Sequence, residues 1–288
     1  MIPSKMLTRT VGTISGVGLF SGKLGRVTIE PGDGRGIVIA GGPMLHTRGM
    51  AVASVQHVGY ATAWSGLPPG VPIRNTTIDA GGVTVGTVEH LLAALAGLNV
   101  WDAQLRVEGP EIPILDGSAL PFVEALRPDL APARIPAKPI VLGLPIEVRD
   151  GDASITATPA DSISYTYNLD YGPASPLRAH SATWRGDAAD FINNIAPART
   201  FSLRAEAQAA QKLGLFPHLT PRDMLVIGDD GQPIDNAWRM EGEPARHKLL
   251  DLIGDLALLC RPLRAQVVAT RSGHRLTHEF CRAVLSTC

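Results

Sequence analysis

Four side chains in two distant segments have the types and spacing for metal-assisted hydrolysis. In "ARHKLLDLIGDLALL", Ala245 to Leu259, a helix turning about 100° per residue puts Leu249, Leu250, Leu252, Ile253, Leu256 and Leu259 on one broad side. His247, Asp251 and Asp255 fall on the opposite side, within a stripe about 80° wide. Residues four apart lie one turn from each other, so His247 and Asp251 can share one ion. A neutral imidazole and a carboxylate both suit Zn²⁺. Asp255, one turn further on, is placed to orient a neighbour or to act as a carboxylate in its own right. The bland alternative is the solvated face of an amphipathic helix.

The second segment is "TVEHLLAALAGL" (87–98), where Glu89 and His90 sit at a strand-to-helix junction. Glu in a first helical turn is ordinary dipole chemistry when it stands alone. Beside the first segment it reads differently. A catalytic zinc takes three protein ligands and keeps one position open. His90, His247 and Asp251 supply His₂Asp, and Glu89 supplies a base for a metal-bound water.

The elements that must bring these segments together are short. "GRVTIEP", "GIVIAGG", "VTVGTV" (83–88) and "DAQLRVEG" read as strands, "EHLLAALAGL" and "SALPFVEAL" (118–126) as helices, and "GLPPGVP" (66–72) as a loop. Four prolines in "RPDLAPARIPAKP" (127–139) resist both helix and central strand, which marks a linker. Strands resume at "IVLGLPIEVRD", "ASITATP" and "SISYTYNLDY", followed by helical patterns at "DAADFINNI", "RAEAQAAQKLG" and 245–259. Each half runs strands first with a main helix late, a loose duplication of two α+β domains. The expected division is 1–130 and 137–288, with Glu89 and His90 in the first part and Thr200, His247, Asp251 and His274 in the second.

Composition narrows the function class. The 288 residues are 45% hydrophobic and 18% charged with a net charge of −1, which supports a packed core and argues against a nucleic-acid or membrane-surface partner. Trp64, Trp101, Trp184 and Trp238 are scattered and form no stacking platform. Three cysteines, Cys260, Cys281 and Cys288, lack CxxC spacing, which fits a reducing cytoplasm better than a disulfide framework. The first twenty residues hold no continuous apolar stretch, so no signal peptide is expected. His46, His57, His180, His218 and His278 have no ligand spacing and are expected mostly at the surface. Asp116-Gly117-Ser118 reads as a tight turn with Ser118 as a helix N-cap.

Six blocks in order resemble the zinc-dependent UDP-3-O-acyl-N-acetylglucosamine deacetylases of lipid A biosynthesis: "SGVGLFSG" (15–22), "TVEHLLAALAGL", "EIPILDGSALPFVEAL" (111–126), "ARTFSL" (198–203), "RHKLLDLIGDL" (246–256) and "SGH" (272–274). The resemblance implies two α+β domains, each a mixed sheet with two main helices, the helices packed between two outer sheets. It implies a soluble enzyme, expected as a monomer without membrane insertion. By position it makes His90, His247 and Asp251 ligands of Zn²⁺, with Fe²⁺ fitting the same donors. Glu89 becomes the general base, His274 a protonated acid or stabiliser, and Asp255 the carboxylate that orients it. Thr200 stands beside the developing oxyanion. Phe201, Lys248 and the Phe20 position face the acylated UDP-sugar, and Arg199 either binds an anion or braces its loop.

Four departures from the family pattern surround this set. "GVGLH[ST]G" reads "GVGLFSG", so Phe20 replaces a histidine. "LGG" reads "LGLFPHL" (213–219), "YEDEFVRHK" reads "RMEGEPARHK" with Pro244 before the helix, and "SGHALNN" reads "SGHRLTH". They leave two alternatives open: a paralogue that deacetylates another N-acetylated sugar lacking the 3-O-acyl chain, and a non-catalytic zinc protein.

Overall fold

Strands with alternating burial and helices buried on every side dictate a layered arrangement. In Leu263–Thr270, Leu263, Ala265, Val267 and Ala269 are buried while the residues between them reach toward solvent. Such a strand belongs to a sheet with one covered face. The computed structural model describes residues 4–42, 49–60 and 74–287. The expected loop at 66–72, together with His46, Trp64 and Cys288, lies outside them.

The first sheet runs, edge to edge, Val11–Val17, Leu24–Pro31, Ala103–Glu108, Ile37–Gly42, Met50–Val52. The second runs Ile146–Asp150, Ala153–Pro159, Leu263–Thr270, Ser164–Leu169, His180–Trp184, with Ile140–Val141 added in parallel to Leu263–Thr270. In each, the strand latest in sequence takes the centre. It pairs antiparallel with one neighbour and parallel with the other, and both outer pairings are antiparallel. The duplication expected from element order is therefore visible as one strand order used twice.

The helices are α1 (Glu89–Gly97), α2 (Leu120–Leu126), α3 (Ala188–Asp190), α4 (Arg204–Lys212), α5 (Glu243–Leu256) and α6 (His274–Leu285). α1 and α5 lead into the two central strands, and α2 and α6 follow them. All nine residues of α1 are buried, as are all of α5 except Arg246 and Lys248. A helix enclosed all round must lie inside the molecule. α5 packs on Ser164–Leu169 and His180–Trp184 of the second sheet and against α1. The fold is α+β, as expected. No helix among the described residues is long and apolar enough to cross a membrane.

Several local expectations shift. Leu130–Pro132, inside the linker, pairs antiparallel with Lys5–Leu7 in a two-stranded ribbon, an edge setting in which Pro132 loses no central ladder bond. The strand at 83–88 stops at Val85, because Thr87 adopts φ +55 and Val88 is already helical. The pattern at 187–195 forms α3 and then a π-helical turn, Phe191–Ile195. Pro244 stands in the first turn of α5 rather than before it, where its missing N–H has no helical acceptor to lose. Ala119, not Ser118, is the cap residue of α2, although Ser118 Oγ still accepts the Leu120 N–H at 3.2 Å.

Candidate metal centre and catalytic site

The seam between α1 and α5 assembles the site. Gly254 makes the seam close: a Cβ added there would lie 2.1 Å from the Glu89 carbonyl oxygen. Thr87, whose positive φ is costly for a β-branched residue, turns the chain sharply into α1. Its hydroxyl donates to Glu111 at 2.6 Å and accepts from Asn75 at 2.9 Å, which holds the turn. Glu111 also accepts from the Phe20 and Ser21 N–H groups and the Ser21 hydroxyl, so one buried carboxylate joins the 18–22 loop to the start of α1.

His90, His247 and Asp251 converge, all buried, with one ligand atom from each within 4.8 Å of the others. Asp251 Oδ1 lies 3.4 Å from His247 Nε2 and 3.6 Å from His90 Nε2. Backbone and side-chain partners aim the His247 and Asp251 atoms. His247 Nδ1 meets the Ala198 carbonyl at 3.1 Å, so it carries the proton and Nε2 keeps its lone pair. Burial pushes His247 down to about 3, with His90 and Lys248 adding to the fall against Asp251, which keeps the ring neutral. Lys248 Nζ donates to Asp251 Oδ2 at 2.7 Å. Burial would raise Asp251, but Lys248 and His247 hold it well below the usual carboxylate range. His247 Nε2 and Asp251 Oδ1 thus face each other as two acceptors with no proton between them. That donor set fits a divalent cation. Lys248, a substrate contact by resemblance, thus directs its ammonium at Asp251.

Glu89 accepts the Thr76 N–H at Oε2, 3.0 Å away, and its Oε1 faces His274 Nε2 at 3.9 Å. Burial raises Glu89 to about 7, Asp251 and Asp255 add to the rise, and His274 and His90 oppose it. His274 opens α6, with Nδ1 2.8 Å from Asp255 Oδ2 and Nε2 3.8 Å from Asp251 Oδ2. Burial alone would lower His274. Asp255, Glu89 and Asp251 more than offset it and raise it to about 9. Asp255 itself is held low by His274 and His278 despite its burial. The stripe read from the sequence is therefore real, and it is buried rather than solvated.

The remaining sequence-derived residues are held by contacts of their own. Phe201 stands edge-on to His247, ring centroids 6.4 Å apart, and its neighbour Thr200 is fixed by an N–H bond to the Gly117 carbonyl at 2.7 Å. Phe20 packs on Phe216 with centroids 5.6 Å apart. Arg199 gives every guanidinium nitrogen to the protein: Nε and Nη2 to Glu243, Nη1 to Asn236, Nη2 also to the Ala237 carbonyl. Those are the contacts of a loop brace.

His278, one of five histidines expected mostly at the surface, is instead fully buried, with Nε2 2.9 Å from Thr76 Oγ1. Thr76 was likewise unmarked, though it bonds both Glu89 and Asp255. The i, i+4 spacing of His274 and His278 on α6, in a block that departs from the family pattern, was the available signal.

Comparison with known proteins agrees with this geometry. The chain is 35% identical to the UDP-3-O-acyl-N-acetylglucosamine deacetylase of Thermosynechococcus vestitus over 94% of its own length and 90% of the relative's. It is 34% identical to that of Geotalea uraniireducens over 94% and 85%. It is 30% identical to that of Myxococcus xanthus over 99% and 88%. Residues 5–286 match the model of one family, described as UDP-3-O-acyl N-acetylglycosamine deacetylase, LpxC, and the chain belongs to it.

Proposed function

We propose that this chain removes the N-acetyl group of UDP-3-O-acyl-N-acetylglucosamine, the deacetylation step of lipid A biosynthesis, using Zn²⁺ held by His90, His247 and Asp251. The observation that carries the reading is the convergence of those three donors beside a base and an acid of opposite charge. A divalent ion there supplies Lewis acidity and lowers the pKa of a water it binds. Fe²⁺ suits the same donors.

The chain's own groups do the rest. Glu89, held at one oxygen by Thr76, is poised near neutrality to take a proton from the attacking water. His274, charged and anchored by Asp255, turns Nε2 to the side where the acetamide oxygen gains charge, and the Thr200 hydroxyl is assigned to that charge as well. The departing amine takes its proton from Glu89 or from His274. Phe201 and Lys248 flank the sugar, Phe20 the outer part of the substrate, and Arg199 positions Thr200. We take 1–130 and 137–288 as the two domains and the working form as a cytoplasmic monomer. The two matching sheets support the first, and the unpaired Cys260 and Cys281 suit a reducing compartment.

A second reading has one observation in its favour. Two of the departures from the family pattern, Phe20 and the 213–219 segment, meet each other through the Phe20–Phe216 contact. That contact supports a surface changed at both positions together, as in a paralogue for a sugar without the acyl chain. Purified protein loaded with Zn²⁺ and given UDP-N-acetylglucosamine with and without the 3-O-acyl chain separates the two. Acetate release from the acylated compound supports the first reading. Release only from the other compound supports the second, and release from neither removes both.

A further inference from the structure

A buried histidine beside the site has no part in the mechanism. His278 lies one turn beyond His274 on α6 and is fully buried. Its Nε2 is 2.9 Å from Thr76 Oγ1 and 3.6 Å from Asp255 Oδ1, and its Nδ1 is 3.3 Å from the hydroxyl of the exposed Tyr60.

Donor counting assigns the protons in this cluster. Thr76 has one hydroxyl proton. Its oxygen lies 2.5 Å from Asp255 Oδ1, and a carboxylate held low can only accept, so the proton points there. The hydroxyl must then accept from His278, which therefore carries its proton on Nε2. Nδ1 is left as an acceptor for the Tyr60 O–H. His274 sends its own Nδ1 proton to Asp255 Oδ2 at 2.8 Å, with Thr76 Oγ1 further off at 3.4 Å.

Thr76 thereby touches both halves of the chemistry. Its backbone N–H holds Glu89 Oε2, and its hydroxyl holds the carboxylate that anchors His274. A threonine hydroxyl has other rotamers open to it, and the N–H of His278 selects the one that completes the set. Tyr60 in turn fixes the imidazole from the surface side.

We propose that His278 is a positioning residue: through Thr76 it sets Glu89 and His274 in mutual register for deacetylation. The inference rests on the roles given above to Glu89 and His274.

Steady-state kinetics on the metal-loaded protein test it, with metal content and thermal melting measured on every variant. His278→Leu removes the donor. We expect kcat to fall about tenfold or more, with KM within about twofold and full metal content, the usual scale for residues behind a catalytic shell. His278→Gln carries an amide N–H to the same hydroxyl and is expected to recover kcat to within about threefold of the parent. A folded, metal-loaded His278→Leu with kcat within about twofold of the parent overturns the proposal, as does a Gln variant no better than Leu. If the Leu variant does not fold, His278→Met takes its place and is combined with Thr76→Val: a shared, non-additive loss supports the register, and independent losses overturn it. Glu89→Ala in the same assay tests the underlying reading separately. Turnover retained there removes the base, whereas loss there beside an unaffected His278→Leu removes only the positioning role.

Discussion

Gly254 of α5 and Glu89 of α1 meet backbone to backbone, with no room for a β-carbon between them. The contact sets how near His90 comes to His247 and Asp251. Gly254→Ala is expected to push the helices apart, costing about 1–3 kcal/mol of stability by overpacking. Metal affinity should fall about tenfold or more, since the ligand set spans the seam. Denaturant unfolding and metal titration check the two effects, and an unchanged metal affinity would show that the seam does not govern ligand convergence.

The pH profile follows from two groups of opposite requirement. In the proposed mechanism Glu89 works unprotonated, so kcat/KM should rise through its pKa; His274 works protonated, so the rate should fall through its own. The two sit at about 7 and about 9, and a bound cation lowers both. The expected curve is a bell whose limbs lie at or below those values. Glu89→Gln should abolish the acid limb and cut the rate about 10²- to 10⁴-fold. A profile flat between about pH 5 and 10 would remove both assignments.

Removal of the cation should destabilise the fold as well as stop turnover. His247 Nε2 and Asp251 Oδ1 present lone pairs to each other 3.4 Å apart in a buried site. A cation bound at a thousand times its dissociation constant adds about 4 kcal/mol. Melting the protein with and without a chelator measures this, and a midpoint indifferent to chelation would argue against a cation among these three residues.

Arg199 distinguishes a brace from an anion binder. Glu243, its partner, is fully buried, so Arg199→Ala strands a carboxylate and is expected to cost about 3–5 kcal/mol. KM for the UDP-sugar should stay within about twofold at a temperature where the variant is folded. A large rise in KM with normal stability would reverse the assignment.

The chemistry was more legible in the sequence than its supports. His247, Asp251 and Asp255 declared themselves by helical period, and Glu89–His90 by its place at a strand-to-helix junction. Their burial did not show, because an amphipathic pattern looks the same whether its polar stripe meets water or a second helix. Thr76, His278, Glu111 and Gly254 work through partners distant in sequence: Thr76 and Asp255 are 179 positions apart, Thr76 and His278 202. No local period encodes such pairs. Proline count misjudged Leu130–Pro132 for the same reason, since its pairing depends on a strand at the other end of the first half.

The recurrence of one strand order in both sheets bears on ancestry. A single copy of this module owns either the helix with the base or the helix with the acid. Base and acid come from different copies, so neither copy by itself holds the full set. The repeated strand order is what a duplicated module would leave, and two copies in one chain are free to differ in the side chains they carry.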